Sequence, residues 1–160
     1  MSDTKGEKGE PVRLEVRIEA PRERVWQALA EDISAWWPAA SFNVGGTAAR
    51  MTLEPRVGGR MFEDWGEGQG LLWAQVCSLR RPELLQMVGD SFPEWGGPLR
   101  SYLTWRLESD GEATIVHLVD ASLGERKPGD CAEKEKGWSF LMAGCLKAHL
   151  EGRPEPPWEA

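Results

Sequence analysis

The residue types that most often carry chemistry are scarce in this chain: it has two histidines, three cysteines and one tyrosine. No Cys-x-x-Cys or His-x-x-Glu spacing suggests a metal, and nothing else calls for a cofactor. An odd cysteine count gives no disulfide framework, so Cys77, Cys131 and Cys145 are expected to be free thiols in a reducing compartment. Long apolar runs are missing too, and none approaches the ~20 residues of a membrane span. The opening MSDTKGEKGEP lacks the apolar segment of a signal peptide, which together with the thiols predicts a cytoplasmic protein. There is no basic run and the net charge is -7, which argues against nucleic acid and anionic membranes as partners. The glycine stretches VGGR and GEGQG are too short and wrongly placed for phosphate loops. Gly58 and Gly59 suit a hairpin instead.

What the chain does have is tryptophan. There are nine, against four phenylalanines, in 160 residues of which 41% are hydrophobic. That length suffices for one domain with a real core. An indole N–H wants an acceptor when buried, so nine tryptophans suggest a pocket or contact surface as well as a core.

Periodicity divides the chain. Residues 1–11 read as a mobile tail, residues 12–151 as a single domain, and residues 152–160 as a Pro-rich tail without order apart from any docking of Trp158. In VRLEVRIEA, Val12, Leu14, Val16 and Ile18 alternate with charges, as in a half-buried strand. PRERVWQALAED predicts a helix opened by Pro21, ISAWWP a second short helix or turn, and AASFNVGG a loop. From residue 50 the period is two. About six strands follow with short links, the last two joined at Asp110-Gly111, which implies an antiparallel meander.

The stretch from Asp130 to Glu151 reads as one long helix. At 100° per residue Trp138, Leu141, Met142, Cys145, Leu146 and His149 share an arc, with Glu133, Lys136, Lys147 and Glu151 opposite. Asp130 with Glu133 has capping-box spacing, and Gly152 and Pro154 stop the helix. Gly137, Gly144 and Ala148 form a small-residue edge beside Leu141, which either admits a close strand or leaves a cavity. Phe140 projects from the polar side, as a partner contact or a contact with an earlier loop would require.

This order resembles the START-like, or SRPBCC, superfamily with its helix-grip fold. The most similar branch is the domain related to activators of heat-shock-protein ATPase. The matching stretches are APRERVWQALAEDISAWWP, EPRVGGRMFE, LLWAQV with RPELL, LTWRLE with GEATIVHLV, and GWSFLMAGCLKAHLEG. The resemblance implies an α+β fold: a curved antiparallel sheet of about seven strands wrapped around the C-terminal helix, with two short helices after the first strand. It also implies a cavity between sheet and helix. The superfamily holds carriers, enzymes and co-chaperones, so it fixes architecture better than activity.

Candidate site residues follow. Resemblance to the GGRxFE stretch implies that Met61 and Glu63 point toward the cavity; a surface charge is the plain alternative for Glu63. Asp120 is in phase with Val116 and Leu118, so it should face the core, where a carboxylate must pair, hydrogen-bond or protonate. It could also cap a turn at the strand end. Trp73 and Trp105 lie in middle strands and could line the wall, as could Leu141 from the helix. Trp26, Trp36 and Trp138 suit the core, and Trp37, Trp65 and Trp95 a cavity mouth. His117, out of phase with its neighbours, and His149, in the last helical turn, suit structural roles. The leading expectation is binding of a small apolar or aromatic ligand oriented by Glu63 or Asp120. An enzyme of the polyketide cyclase or hydrolase kind would need those two carboxylates as its acid–base pair. A chaperone-regulator-like interaction module, or a homodimer contact, is the third class.

Overall fold

The computed structural model describes residues 10–159, so most of the predicted N-terminal tail lies outside the described residues. Seven strands form one sheet: β1 (Val12–Ile18), β2 (Arg50–Leu53), β3 (Arg60–Gly66), β4 (Gln69–Arg80), β5 (Leu84–Ser91), β6 (Leu99–Asp110) and β7 (Ala113–Gly124). Their order is β1-β7-β6-β5-β4-β3-β2, and every neighbouring pair is antiparallel. The last six strands are therefore a meander, and β1 returns to its far edge beside β7. Alternation sets the faces. Val12, Val16 and Ile18 of β1 are buried, as are Leu103, Trp105 and Leu107 of β6 and Val116, Leu118 and Asp120 of β7.

Between β1 and β2 the chain makes α1 (Arg22–Trp26), which widens into an i→i+5 turn at Gln27–Glu31, and the single turn α2 (Ala39–Phe42). The sequence read 39–46 as loop, and α2 corrects the first half of it. Trp36 lies in the core, as its sequence position suggested, at 3% exposed, whereas Trp37 does not stand at a cavity mouth: it is 5% exposed. The Trp36 indole donates to the Ala28 carbonyl at 2.8 Å, and Trp37 donates to Asn43 Oδ1 at 2.9 Å. Asn43 in turn donates to the Ala49 carbonyl at 2.9 Å. These bonds satisfy indole and amide groups that burial would otherwise penalise.

The long helix is α3. It runs through Asp130–Ser139, an i→i+5 segment Phe140–Leu146 and a last turn Lys147–Leu150. Leu141, Met142, Cys145, Leu146, Ala148 and Leu150 are buried against the sheet, each large apolar side chain contributing about 1.5–3 kcal/mol. His149, on the apolar arc by projection, is exposed. The predicted capping box does not form. Gly129, at φ 93°, is the cap residue, and the Asp130 carboxylate turns back to accept from the Lys127 N–H at 2.6 Å. At the other end Gly152, at φ 68°, lets the Arg153 N–H reach the Ala148 carbonyl at 2.8 Å, which closes the helix as the sequence indicates.

The C-terminal segment lies back along α3. Trp158 packs on Phe42 and Phe140 with ring centroids 5.0 and 4.9 Å apart, and the Lys136 ammonium sits 5.2 Å from its ring. Phe140 itself stacks on Phe42 at 5.6 Å. So Phe140 meets an earlier loop and the chain's own tail. The small-residue edge is also divided: a Cβ at Gly137 would meet Phe42, whereas one at Gly144 would lie 3.1 Å from Pro156. Gly144 makes room for the tail and is not among the residues around the cavity.

Candidate functional site

One face of α3 carries Lys134, Gly137, Trp138 and Leu141, at the i, i+3, i+4, i+7 spacing of neighbouring turns. These four side-chain positions form one wall of a cavity of about 450 Å³ between α3 and the sheet, a volume within the range of small-molecule sites. The opposite wall is built by strand alternation. β6 supplies Leu99, Ser101 and Leu103; β7 supplies Asp120 and Ser122; β1 supplies Val12. The register places Ser101 opposite Ser122 and Leu103 opposite Asp120. Met61 of β3, Trp73 and Ala74 of β4, and Phe42 of α2 complete the interior, while the exposed Trp95, Gly96, Cys131 and Glu133 lie on the rim.

A bulge explains how Trp73 and Ala74, adjacent in sequence, both reach the cavity. The β3–β4 register pairs Met61 with Ala74 but Phe62 with Leu72, so Trp73 is the extra residue. A bulge breaks alternation and re-aims one side chain. The Trp73 indole thereby donates to Glu63 Oε2 at 2.7 Å.

Glu63 is wholly buried and accepts four N–H bonds. Besides Trp73, these come from the backbone N–H groups of Val44 (3.0 Å) and Gly45 (2.9 Å) and from the Trp65 indole (3.2 Å). Four donors satisfy a carboxylate fully. Glu63 is not among the residues around the cavity; it fastens the loop after α2 to β3 from behind Trp73. Trp105 is also set back from it. That indole is 1% exposed and packs edge-on against Trp138, centroids 6.2 Å apart. Of the six predicted positions, Met61, Trp73, Asp120 and Leu141 reach the cavity surface, and Glu63 and Trp105 support it from outside.

Asp120 is 3% exposed and forms the centre of the one polar cluster on the inner wall. Its Oδ2 accepts from the Trp138 indole at 2.8 Å, and its Oδ1 accepts from Ser122 at 3.2 Å. Lys134 Nζ lies 3.2 Å from either carboxylate oxygen and donates to Ser101 Oγ at 2.9 Å and Ser122 Oγ at 2.6 Å. Asp120 is thus paired and hydrogen-bonded, as a buried carboxylate must be. It does not cap a turn. Lys134, Ser101 and Ser122 went unnoticed in the sequence. A signal was there: Lys134 lies four residues before Trp138, and both serines are in phase with wall residues.

Elsewhere, His117 meets Glu108 at 2.8 Å on the outer face of β6–β7, a structural contact. Among the described residues no group of His, Cys, Asp and Glu side chains could hold a metal ion, and no helix is long and apolar enough to cross a membrane.

Comparison with known proteins places the fold. DynU16, from the dynemicin biosynthetic locus, matches with TM-score 0.64 and 24% identity over 93% of this chain and 51% of that one. This chain therefore spans about half the length of DynU16. Protein MLL2253 from Mesorhizobium loti matches with TM-score 0.66 and 20% identity over 91% of this chain and 99% of that one. The Aha1 dimer from Colwellia psychrerythraea matches with TM-score 0.62 and 20% identity, over 89% and 96%. At these identities the likeness is one of fold. No curated protein gives a significant match. The family model for activator of Hsp90 ATPase homolog 1-like proteins matches residues 19–151, and with its helix-grip architecture the chain belongs to that family.

Proposed function

We propose that this protein binds a small apolar or aromatic ligand in the cavity between the sheet and α3. The observation that carries this reading is the cavity's construction. A space of about 450 Å³ is lined mainly by Met61, Trp73, Ala74, Leu103, Trp138 and Leu141, with a single polar cluster on its inner wall. Apolar walls with a few placed polar groups are the usual form of a small-molecule site. Asp120, with Lys134 and the two serines, orients the polar end of the ligand; Glu63 acts only through Trp73. Extraction of the purified native protein and mass spectrometry of the released small molecules tests the reading. A stoichiometric aromatic or alicyclic compound is expected. Release of phospholipid alone, or of highly charged metabolites, would count against it.

A second reading is an enzyme of the polyketide cyclase or hydrolase kind, which the origin of DynU16 in a biosynthetic locus favours. In that case the acid–base work falls to Asp120 and Lys134, because the Glu63 carboxylate is occupied by four donors. Conversion of a bound ligand, lost in Asp120→Asn with binding retained, is the outcome that separates this reading from carriage. A homodimer or chaperone-type partner contact, as in the Colwellia Aha1 dimer, is the remaining reading. Sedimentation at micromolar concentration distinguishes a dimer from a monomer.

A further inference from the structure

The inner wall carries charge, but the charge is already spent. Lys134 has three N–H donors, and Ser101, Ser122 and Asp120 take them. Asp120 receives Lys134, Ser122 and the Trp138 indole. The remaining freedom lies in Ser101. One lone pair of its hydroxyl accepts from Lys134, and among the described residues its proton has within reach only Ser122 Oγ at 3.2 Å, a long bond that a ligand oxygen can replace.

We propose that the cavity selects a neutral hydrogen-bonding head group, a hydroxyl or carbonyl oxygen on an aromatic or alicyclic ring, and discriminates against both carboxylates and ammonium ions. The proposal rests on the ligand-binding reading above and specifies the ligand class. An entering carboxylate loses its hydration and meets Asp120, with the compensating Lys134 already committed. An ammonium ion meets Lys134 in the same way. A hydroxyl or carbonyl loses far less hydration and gains the Ser101 bond. The rim reinforces the exclusion of anions: Arg126 is the cation there, against Glu10, Asp130 and Glu133. Arg126 is moreover held by the Ser122 carbonyl and by Cys131 Sγ, 3.2 Å away. The outer carboxylates Glu10 and Glu133 are exposed and screened by salt, so they give an ammonium ion little hold on the inner wall.

Four probes of one shape test this by titration calorimetry: naphthalene, 2-naphthol, 2-naphthoate and 2-naphthylmethylammonium. The expected order places 2-naphthol first, with a Kd at least about tenfold below those of the two ions and measurably below that of naphthalene. The charge logic is checked by Asp120→Asn, which leaves Lys134 uncompensated, and Lys134→Gln, which leaves Asp120 uncompensated. The first should shift the naphthoate-to-naphthol ratio toward naphthoate by about tenfold, and the second should do the same for the ammonium probe. Circular dichroism melts establish that each variant is folded, and Ser101→Ala serves as a milder variant that should weaken naphthol alone. Naphthoate or the ammonium probe binding the unaltered protein as tightly as naphthol overturns the proposal. So does naphthalene binding as well as naphthol, although the cavity reading then survives. Failure of all four to bind overturns both.

Discussion

Glu63 and Asp120 are both buried carboxylates, yet they are satisfied differently, and that difference sets what each can do. Glu63 relies on four N–H donors. In Glu63→Gln an amide group would face donors, leaving at least one N–H unsatisfied, so the variant should lose about 2–4 kcal/mol in urea unfolding. A loss under about 0.5 kcal/mol would contradict the hub role. Tryptophan offers a matched pair of tests. The Trp105 indole N–H has no acceptor among the described residues, whereas that of Trp138 holds Asp120. Trp105→Phe should therefore be tolerated better than Trp138→Phe by about 1 kcal/mol or more, read from the same denaturation curves. Cys145 is 2% exposed, and burial, with Glu155 adding a smaller push, raises its thiol to about 12. The folded state therefore holds a proton that the unfolded state gives up from about 9. Its contribution to stability is complete below that pH and is lost as pH rises toward 12. At pH 8 an alkylating reagent should modify the exposed Cys77 and Cys131 rapidly and Cys145 only on unfolding. Three fast thiols in the native protein would refute this.

At the scale of elements, the segment after α3 behaves as part of the fold. Trp158, Phe42 and Phe140 form an aromatic cluster over the outer side of α3, and Phe42 is also part of the cavity wall. Aromatic pairs are worth about 0.5–1.5 kcal/mol each beyond burial. Trp158→Ala should cost about 1–2 kcal/mol on that basis and should speed ligand exchange past α2, measured by stopped-flow fluorescence. Unchanged stability and exchange would mean that the tail contributes nothing. Gly144→Leu should give the same signature by displacing Pro156, without filling the cavity. Sequence periodicity could show that α3 exists and which face is apolar, because a helix repeats at 3.6 residues. It could not show which neighbour lies over Gly144 and which over Gly137, since both glycines read alike until the tail is placed. Nor does alternation foresee the bulge at Trp73, which breaks the very period used to assign faces.

The whole molecule is a sheet whose inner face is only partly filled by α3. The architecture was legible because it rests on long periodic segments and their order: β1, two helical stretches, six strands and a final helix. The candidate site was legible where it follows the same periods, as at Asp120 and Leu141, and at Met61 through the family resemblance. It was hidden where one side chain crosses to another element, as Lys134 does to reach Ser101, Ser122 and Asp120. Whether the remaining space is a binding site is the central question, and Ala74 gives the most direct access to it. Ala74 is 6% exposed and lies on the cavity wall between Met61 and Trp73. Ala74→Leu adds three carbons to the cavity's interior. The decisive measurement is the calorimetric titration of 2-naphthol into this variant and the unaltered protein, paired with their thermal melts. The expected result is saturable one-to-one binding to the unaltered protein, weakened at least about tenfold in Ala74→Leu, whose melting temperature is unchanged or higher because apolar surface fills an existing space. The opposite result, no binding to the unaltered protein together with a loss of about 1–3 kcal/mol in the variant, is that of a packed interior and would contradict the account.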